Sequence, residues 1–251
     1  MSSHALWITG ASSGIGAALR RSQPFADAQV FGVARRDCGG PADLRLDLAR
    51  RRSWERLAAH FAEVLRPGVA NGCLLHFAGV GQPHGRAVDA ELAAYTDSVL
   101  VNGPVGLIVA KAFLTAAADA GTEATVVLCS SPAAGEPLPG LSAYGAGKLA
   151  IRYWVGAVAA EGFGRILGIV PWAVDTPMLR DAVNNASELM PVHLALREAA
   201  ARGELAPADR TAQEIWDVVE GDRPSGSIVN VGAVPAAVRL ADEQDREKQR
   251  G

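Results

Sequence analysis

Thr9-Gly10-Ala11-Ser12-Ser13-Gly14-Ile15-Gly16 follows directly on a short apolar run and leads into an amphipathic stretch. A strand that turns through glycines into a helix is the opening unit of a doubly wound α/β sheet. Gly10 permits a tight turn off the strand, Gly14 lets a ligand approach the backbone, and Gly16 lets the helix pack close to the sheet. The helix N-terminus adds unpaired N–H groups and a partial positive charge, which suits phosphate. Tight strand-to-helix turns also use glycine for structure alone. The weight therefore lies in the context, a strand before and a helix after three glycines spaced G-x-x-x-G-x-G.

Outward from this turn the chain keeps the same alternation. Short runs rich in Val, Ile and Leu predict strands over 5–9, 29–34, 43–46, 72–77, 125–129, 166–170 and 227–231. Amphipathic stretches predict helices over 15–23, 53–65, 91–98, 101–118, 144–161 and 211–219. Seven strands alternating with helices imply a single α/β domain of Rossmann type, with a mostly parallel sheet covered on both faces. The weakly patterned 178–205 falls between a strand and a helix, where such an insertion forms a lid or substrate pocket. Charge dominates 242–251, which reads as a solvated tail of the same domain, 1–251.

Composition narrows the function class. The 251 residues carry 24 Lys plus Arg against 27 Asp plus Glu, a formal charge of -3, which argues against a basic nucleic-acid binder. At 49% hydrophobic and 20% charged, the chain has the balance of a globular protein with a sizeable core. No apolar run is read as approaching the ~18–20 residues needed to cross a bilayer, and 5–9 lacks a charged leader, so a cytoplasmic protein is expected. Cys38, Cys73 and Cys129 are widely spaced and read as free thiols. His84 and His193 read as loop residues without partners at metal-ligand spacing, and no metal is expected. Lysine occurs at only three positions, Lys111, Lys148 and Lys248, so its chemistry matters where it appears.

The full Thr9–Gly16 string resembles the short-chain dehydrogenase/reductase family, whose chains are close to this length and whose sheet has seven strands. The resemblance implies a nicotinamide dinucleotide held by Gly10, Ser12, Ser13, Gly14, Ile15 and Gly16. In such folds the residue closing the second strand faces the adenosine ribose; an acid there accepts from the 2′-OH, and an arginine accommodates a 2′-phosphate. Here the strand ends Val33-Ala34-Arg35-Arg36. Two guanidinium groups favour NADP(H) over NAD(H), although Asp37 is near enough to be the alternative. Asp47-Leu48 matches the family's adenine contact, and Asp47 equally suits capping the helix that follows. Ala78 and Gly79 follow the fourth strand beside the cofactor.

Tyr144-Gly145-Ala146-Gly147-Lys148 opens a long helix, and four residues is one helical turn, so phenol and ammonium share a face. A tyrosine of pKa ~10 is a poor acid-base group at neutral pH, and a fixed cation nearby is expected to favour its phenolate. The pair suits proton transfer to a carbonyl oxygen. Ser131 lies thirteen residues before Tyr144, about the separation at which the family places its active-site serine, with Ser130 as the adjacent alternative. Asn102, before Gly103-Pro104, matches the family's asparagine at a helix bend, which holds a water linking the lysine to solvent. An amide bonded to backbone at a kink is the plainer reading. In Ile169-Val170-Pro171-Trp172-Ala173-Val174-Asp175-Thr176-Pro177, Val174 and Thr176 match the positions that hold the nicotinamide carboxamide.

Two positions depart from the family. His76-Phe77-Ala78-Gly79 stands where Asn-Asn-Ala-Gly is usual, and Trp172 stands where glycine follows the proline. The resemblance implies an NADPH-dependent carbonyl reductase or alcohol dehydrogenase with Asn102, Ser131, Tyr144 and Lys148 as its catalytic set. Its substrate is a small-molecule ketone, aldehyde or dicarbonyl, and 139–144 with 175–178 are similar to the sepiapterin and benzil reductase branch, which implies a bulky or dicarbonyl one. A homodimer or homotetramer without nucleic-acid or membrane partners is implied. The departures leave a non-catalytic NADP(H) sensor, or a dehydratase or epimerase of the same superfamily, as alternatives.

Overall fold

The computed structural model describes residues 4–236 and 238, so the charged 242–251 lies outside the described residues. The strands are β1 His4–Thr9, β2 Gln29–Ala34, β3 Leu44–Arg45, β4 Asn71–His76, β5 Glu123–Cys129, β6 Arg165–Pro171, β7 Val174–Asp175, β8 Ala206–Pro207 and β9 Ile228–Val231. The helices are α1 Gly14–Arg21, α2 Arg51–Val64, α3 Leu92–Asn102, α4 Pro104–Ala120, α5 Ser142–Ala160, α6 Pro177–Asn184, α7 Pro191–Ala201 and α8 Ala208–Glu220. Seven strands form one sheet in the order β3-β2-β1-β4-β5-β6-β9, every pair parallel, while β7 and β8 pair apart from it. The Rossmann-type expectation therefore holds.

Helices cover both faces because the central strands are apolar on both sides. On one face Trp7, Phe31, Leu74, Val126 and Ile166 pack with Leu57 and Phe61 of α2, Val109 and Phe113 of α4, and Ile151 and Val155 of α5. On the other, Leu6, Ile8, Leu75, Val127 and Leu167 meet Leu19 of α1 and Ile215 and Trp216 of α8. Trp216 also donates its indole N–H to Leu19 O at 3.2 Å, which ties α8 to α1.

The sequence expectations need correction in two places. The third strand is two residues long, because Asp43 turns its carboxylate back onto the N–H groups of Gly32 and Gly40, both at 2.7 Å, before pairing begins. The apolar stretch 92–120 is 29 residues long and apolar enough by length and composition to span a bilayer, contrary to the reading of short runs only. It is two helices broken at Gly103, and much of it is buried inside the protein, with Val105, Val109, Ala110, Phe113 and Ala117 in the core. Such a helix pair satisfies the apolar count by packing on a sheet. The segment 178–205 forms α6 and α7, each with proline in its first turn.

The chain crosses from one side of β1 to the other between β3 and β4. The crevice above the carboxyl ends of β1 and β4 is therefore the topological switch point, where ligands bind in such sheets.

Candidate active site

Gly10 leaves β1 at φ 72°, and a side chain there would stand 2.8 Å from Phe77 O. A side chain at Gly16 would collide with Gly10 O, so the turn closes on itself only with hydrogen at both positions. Ser13, the N-cap of α1, makes no side-chain cap hydrogen bond, and the first turn carries no acidic residue. Arg20 and Arg21 lie in the last turn, so the charge pattern leaves the N-terminus of α1 free to meet an anion.

Thr9 and His76 are register partners at the ends of β1 and β4. Thr9 Oγ1 accepts from the N–H groups of Phe77 at 3.1 Å and Ala78 at 3.0 Å, and it lies 3.0 Å from His76 Nδ1. With its acceptor sites facing two N–H groups, the hydroxyl donates to Nδ1, which puts the imidazole proton on Nε2. Nε2 is buried without a hydrogen-bond partner. Burial first, and the Lys148 charge second, hold the His76 pKa down to about 3, so this ring is neutral. His76 is structural, and its link to Thr9 ties the end of β4 to the end of β1.

α3 ends at Asn102 and α4 restarts at Pro104, with Gly103 between them at φ −141° and ψ −89°. The Asn102 amide accepts from Val80 N at 3.1 Å and donates to Val80 O at 2.8 Å and Ser98 Oγ at 3.2 Å. Its side chain is thus committed to the loop after β4, as the plainer reading of an amide bonded to backbone at a kink expects. The break lets α5 come close: a side chain at Gly103 would meet Gly147 O at 2.6 Å. That contact seats Lys148, the next residue, beneath the end of β5, where its ammonium donates to Cys129 O at 2.8 Å.

Tyr144 and Lys148 share a face of α5 as their spacing predicts, the ammonium lying 5.7 Å from the centre of the phenol ring. The expected phenolate is not formed in the protein alone. Burial pushes the Tyr144 pKa up to about 12, the Cys129 thiol adds to the rise, and a hydrogen bond with Ser131 pulls the other way. Burial likewise lowers the Lys148 pKa, against a smaller opposing effect of Cys129. At neutral pH Tyr144 holds its proton, as a donor must. The two serines part company here. Ser130 is turned under α5, its hydroxyl 3.4 Å from Lys148 O, whereas the Ser131 hydroxyl accepts from Ala133 N at 3.2 Å and reaches Tyr144.

One cavity of about 460 Å³ connects these groups to the glycine turn. All the site residues expected from sequence line it: Asn102, Ser131, Tyr144, Lys148, Gly10, Ser12, Ser13, Gly14, Ile15, Gly16, Arg35, Arg36, Asp47, Leu48, Ala78, Gly79, Val174 and Thr176. Arg35 and Arg36 are exposed and, among the described residues, in no ion pair, while the Asp37 carboxylate is taken up by Gly39 N at 2.8 Å. Asp47 accepts from Ala49 N at 3.1 Å and pairs with Arg50 at 3.6 Å, so it also caps the turn into α2. Thr176 caps α6 by accepting from Leu179 N at 3.2 Å, and its methyl group would stand 3.1 Å from a side chain at Gly14. Trp172 donates its main-chain N–H to Val231 O at 3.1 Å and lines the same cavity.

The other half of the cavity is lined largely from 178–205, the segment read from sequence as a lid or substrate pocket, although sequence did not show which of its residues face inward. Leu138, Leu141, Met178, Leu179, Val192 and Leu196 make it apolar, and His84 and His193 interrupt that wall. The expectation of two isolated loop histidines fails: His193 lies in α7, and the two rings stand 5.8 Å apart. They are 109 positions apart, and only the folding of α7 over the loop after β4 brings them together.

A sequence profile of the short chain dehydrogenase family matches residues 4–187. A search of curated proteins finds no match. Among solved structures, a short chain dehydrogenase/reductase from Saccharomyces cerevisiae is 19% identical with a TM-score of 0.76, over 94% of this chain and 98% of that one. A 4-hydroxyisoleucine dehydrogenase complexed with NADH is 15% identical with a TM-score of 0.77, over 93% of this chain and 99% of that one. A protein from Agrobacterium tumefaciens solved with bound NADP is 20% identical with a TM-score of 0.73, over 90% and 94% of the two chains. At these identities the structures speak for the fold, while the profile, spanning the turn, Ser131, Tyr144 and Lys148, speaks for the lineage: the chain belongs to the short chain dehydrogenase family, a family of oxidoreductases that bind nicotinamide cofactors and act on small molecules.

Proposed function

We propose that the protein is an NADP(H)-dependent carbonyl reductase, or the corresponding alcohol dehydrogenase, acting on a ketone, aldehyde or dicarbonyl. The observation that carries this reading is the meeting of Tyr144, Ser131 and Lys148 in one cavity with an uncapped helix N-terminus. When bound, the dinucleotide supplies two electrons and a hydrogen to the carbonyl carbon. Gly10 to Gly16 hold its pyrophosphate, Arg35 and Arg36 its 2′-phosphate, Asp47 and Leu48 its adenine side, Ala78 and Gly79 its middle, and Val174 and Thr176 its carboxamide.

Ser131 donates a hydrogen bond to the substrate oxygen, and Tyr144 Oη gives that oxygen its proton, so carbonyl becomes alcohol with charge balanced. The Lys148 ammonium, fixed by Cys129 O, faces the phenolate left behind and the ribose hydroxyls. Asn102 closes a proton path to solvent through its main chain. Oligomerisation is common in the family, and the exposed Leu149 and Tyr153 on α5 support a homodimer or homotetramer. A cytoplasmic setting accords with the three free thiols.

The test is loss of reduced-cofactor absorbance with diketones, pterins, quinones and simple ketones, each with NADPH and with NADH. Faster consumption of NADPH is expected. Replacing both Arg35 and Arg36 by alanine should raise the NADPH KM about 10- to 100-fold and leave NADH little changed, the loss of charge-assisted hydrogen bonds to one phosphate. Tight cofactor binding without consumption across the panel would instead favour a sensor.

A further inference from the structure

His84 is the one histidine in the substrate half of the cavity whose two ring nitrogens are both buried without a hydrogen-bond partner among the described residues. Its side chain is only 6% exposed. Asp181 Oδ2 lies 3.6 Å from Nε2, outside hydrogen-bond distance, and is held at 2.7 Å by Gln82 Nε2; Asp181 Oδ1 takes Asn185 Nδ2 at 3.2 Å. A carboxylate on that side favours the tautomer with the proton on Nε2, which leaves Nδ1 as an unused acceptor. His193 stands beside it, with ring centres 5.8 Å apart. Burial, and the neighbouring His84, hold the His193 pKa down to about 4, so the pair does not offer two positive charges.

His84 and Lys148 both lie near Met178 and line the same cavity. A side chain at Gly79 would stand 3.0 Å from Asn102 Oδ1, 3.5 Å from Met178 Cε and 4.0 Å from Lys148 Nζ. One at Gly81 would stand 3.2 Å from Met178 Cγ and 3.7 Å from His84 Cε1. A single methionine side chain therefore spans from the Lys148 neighbourhood to His84. Around these groups the wall is aliphatic, and a buried imidazole in an aliphatic wall is stable only when something hydrogen-bonds it.

We propose that His84, oriented by Asp181 and flanked by His193, receives a hydroxyl group of the substrate, so that the protein selects uncharged hydroxyketones or hydroxyaldehydes over plain carbonyl compounds of the same length. The Asp181 carboxylate beside this position repels substrates whose second group is a carboxylate. His84 is then a substrate-binding residue, and Asp181 a positioning residue that acts through it. This rests on the reductase reading for the reacting carbonyl, but the hydroxyl contact is a separate claim.

The experiment compares alkanones of equal length, with and without a hydroxyl one to four carbons from the carbonyl, in the wild type, His84→Leu and His84→Gln. In the wild type at least one hydroxyketone should be favoured in kcat/KM. In His84→Leu that preference should shrink about 10- to 100-fold, carried by KM, with the plain ketone within about threefold of wild type. His84→Gln, which keeps an acceptor, should retain most of the preference. An unchanged preference in His84→Leu, or an equal loss for both members of every pair, overturns the proposal. Should no alkanone be turned over, the reductase reading fails for this class, and calorimetric binding of the same pairs to the NADP⁺-loaded protein decides the His84 claim. Tighter binding of a hydroxyketone in the wild type and not in His84→Leu supports it; equal binding throughout overturns it.

Discussion

His76 sits where asparagine is usual in the family, and it accepts from Thr9 only while uncharged. Its ring is buried against Gly106, where a side chain would approach Cδ2 to 2.9 Å, so there is no room for a counter-ion. An unfolded histidine takes up a proton as pH falls through about 6.5, whereas the folded His76 resists until about 3. The unfolded chain therefore binds more protons in that window, and stability, complete above it, falls with acidification by up to about 1.4 kcal/mol per pH unit for this group. The urea midpoint should drop between about pH 7 and about pH 5. His76→Asn, which keeps a partner for Thr9 and cannot titrate, should show a shallower drop; the same slope in both proteins would assign the acid sensitivity elsewhere. Sequence shows a histidine at a strand end and not what it faces.

At the level of elements, the decisive contact is between the α3–α4 break and α5. Gly103 and Gly147 touch backbone to backbone, a side chain at Gly147 standing 3.0 Å from Asn102 C. Gly103→Ala should push the two helices apart, costing about 1–3 kcal/mol in thermal or urea unfolding. It should also lower turnover below the melting range, because Lys148 is carried on the displaced turn. Gly156, on the same helix, is exposed and a side chain there meets nothing within 4 Å. Gly156→Ala should stabilise the isolated chain by about 0.5–1 kcal/mol, since alanine has the higher helix propensity. Equal effects of the two substitutions would refute the contact. Sequence announced the break through Gly103-Pro104 but put the gap at 99–100; the helix runs on to Asn102 because side chains of its last turn pack inward. Proline at the first helical position restarts a helix as readily as it stops one.

Across the whole molecule, the site is assembled from the carboxyl ends of β1, β2, β4, β5 and β6, which a parallel sheet brings to one edge. This is why the Thr9–Gly16 turn, Arg35 and Arg36 and the Tyr144–Lys148 pair were legible: each lies at a strand end or on one helical turn, and local spacing fixes its direction, whereas Ser131 rested on the family resemblance. His84 and His193 were not legible, because no local period links a loop after β4 to a helix inserted after β7. The cofactor half is written in short motifs, while which residues of 178–205 meet the loop after β4 is set by tertiary packing. The central claim, that Tyr144 hands a proton to the substrate oxygen, is tested most directly by NADPH consumption in Tyr144→Phe, with cofactor affinity measured alongside. The account predicts a fall in kcat of about 100-fold or more, the usual worth of a positioned proton donor, with NADPH affinity within about threefold of wild type. Turnover at the wild-type rate by Tyr144→Phe would contradict it.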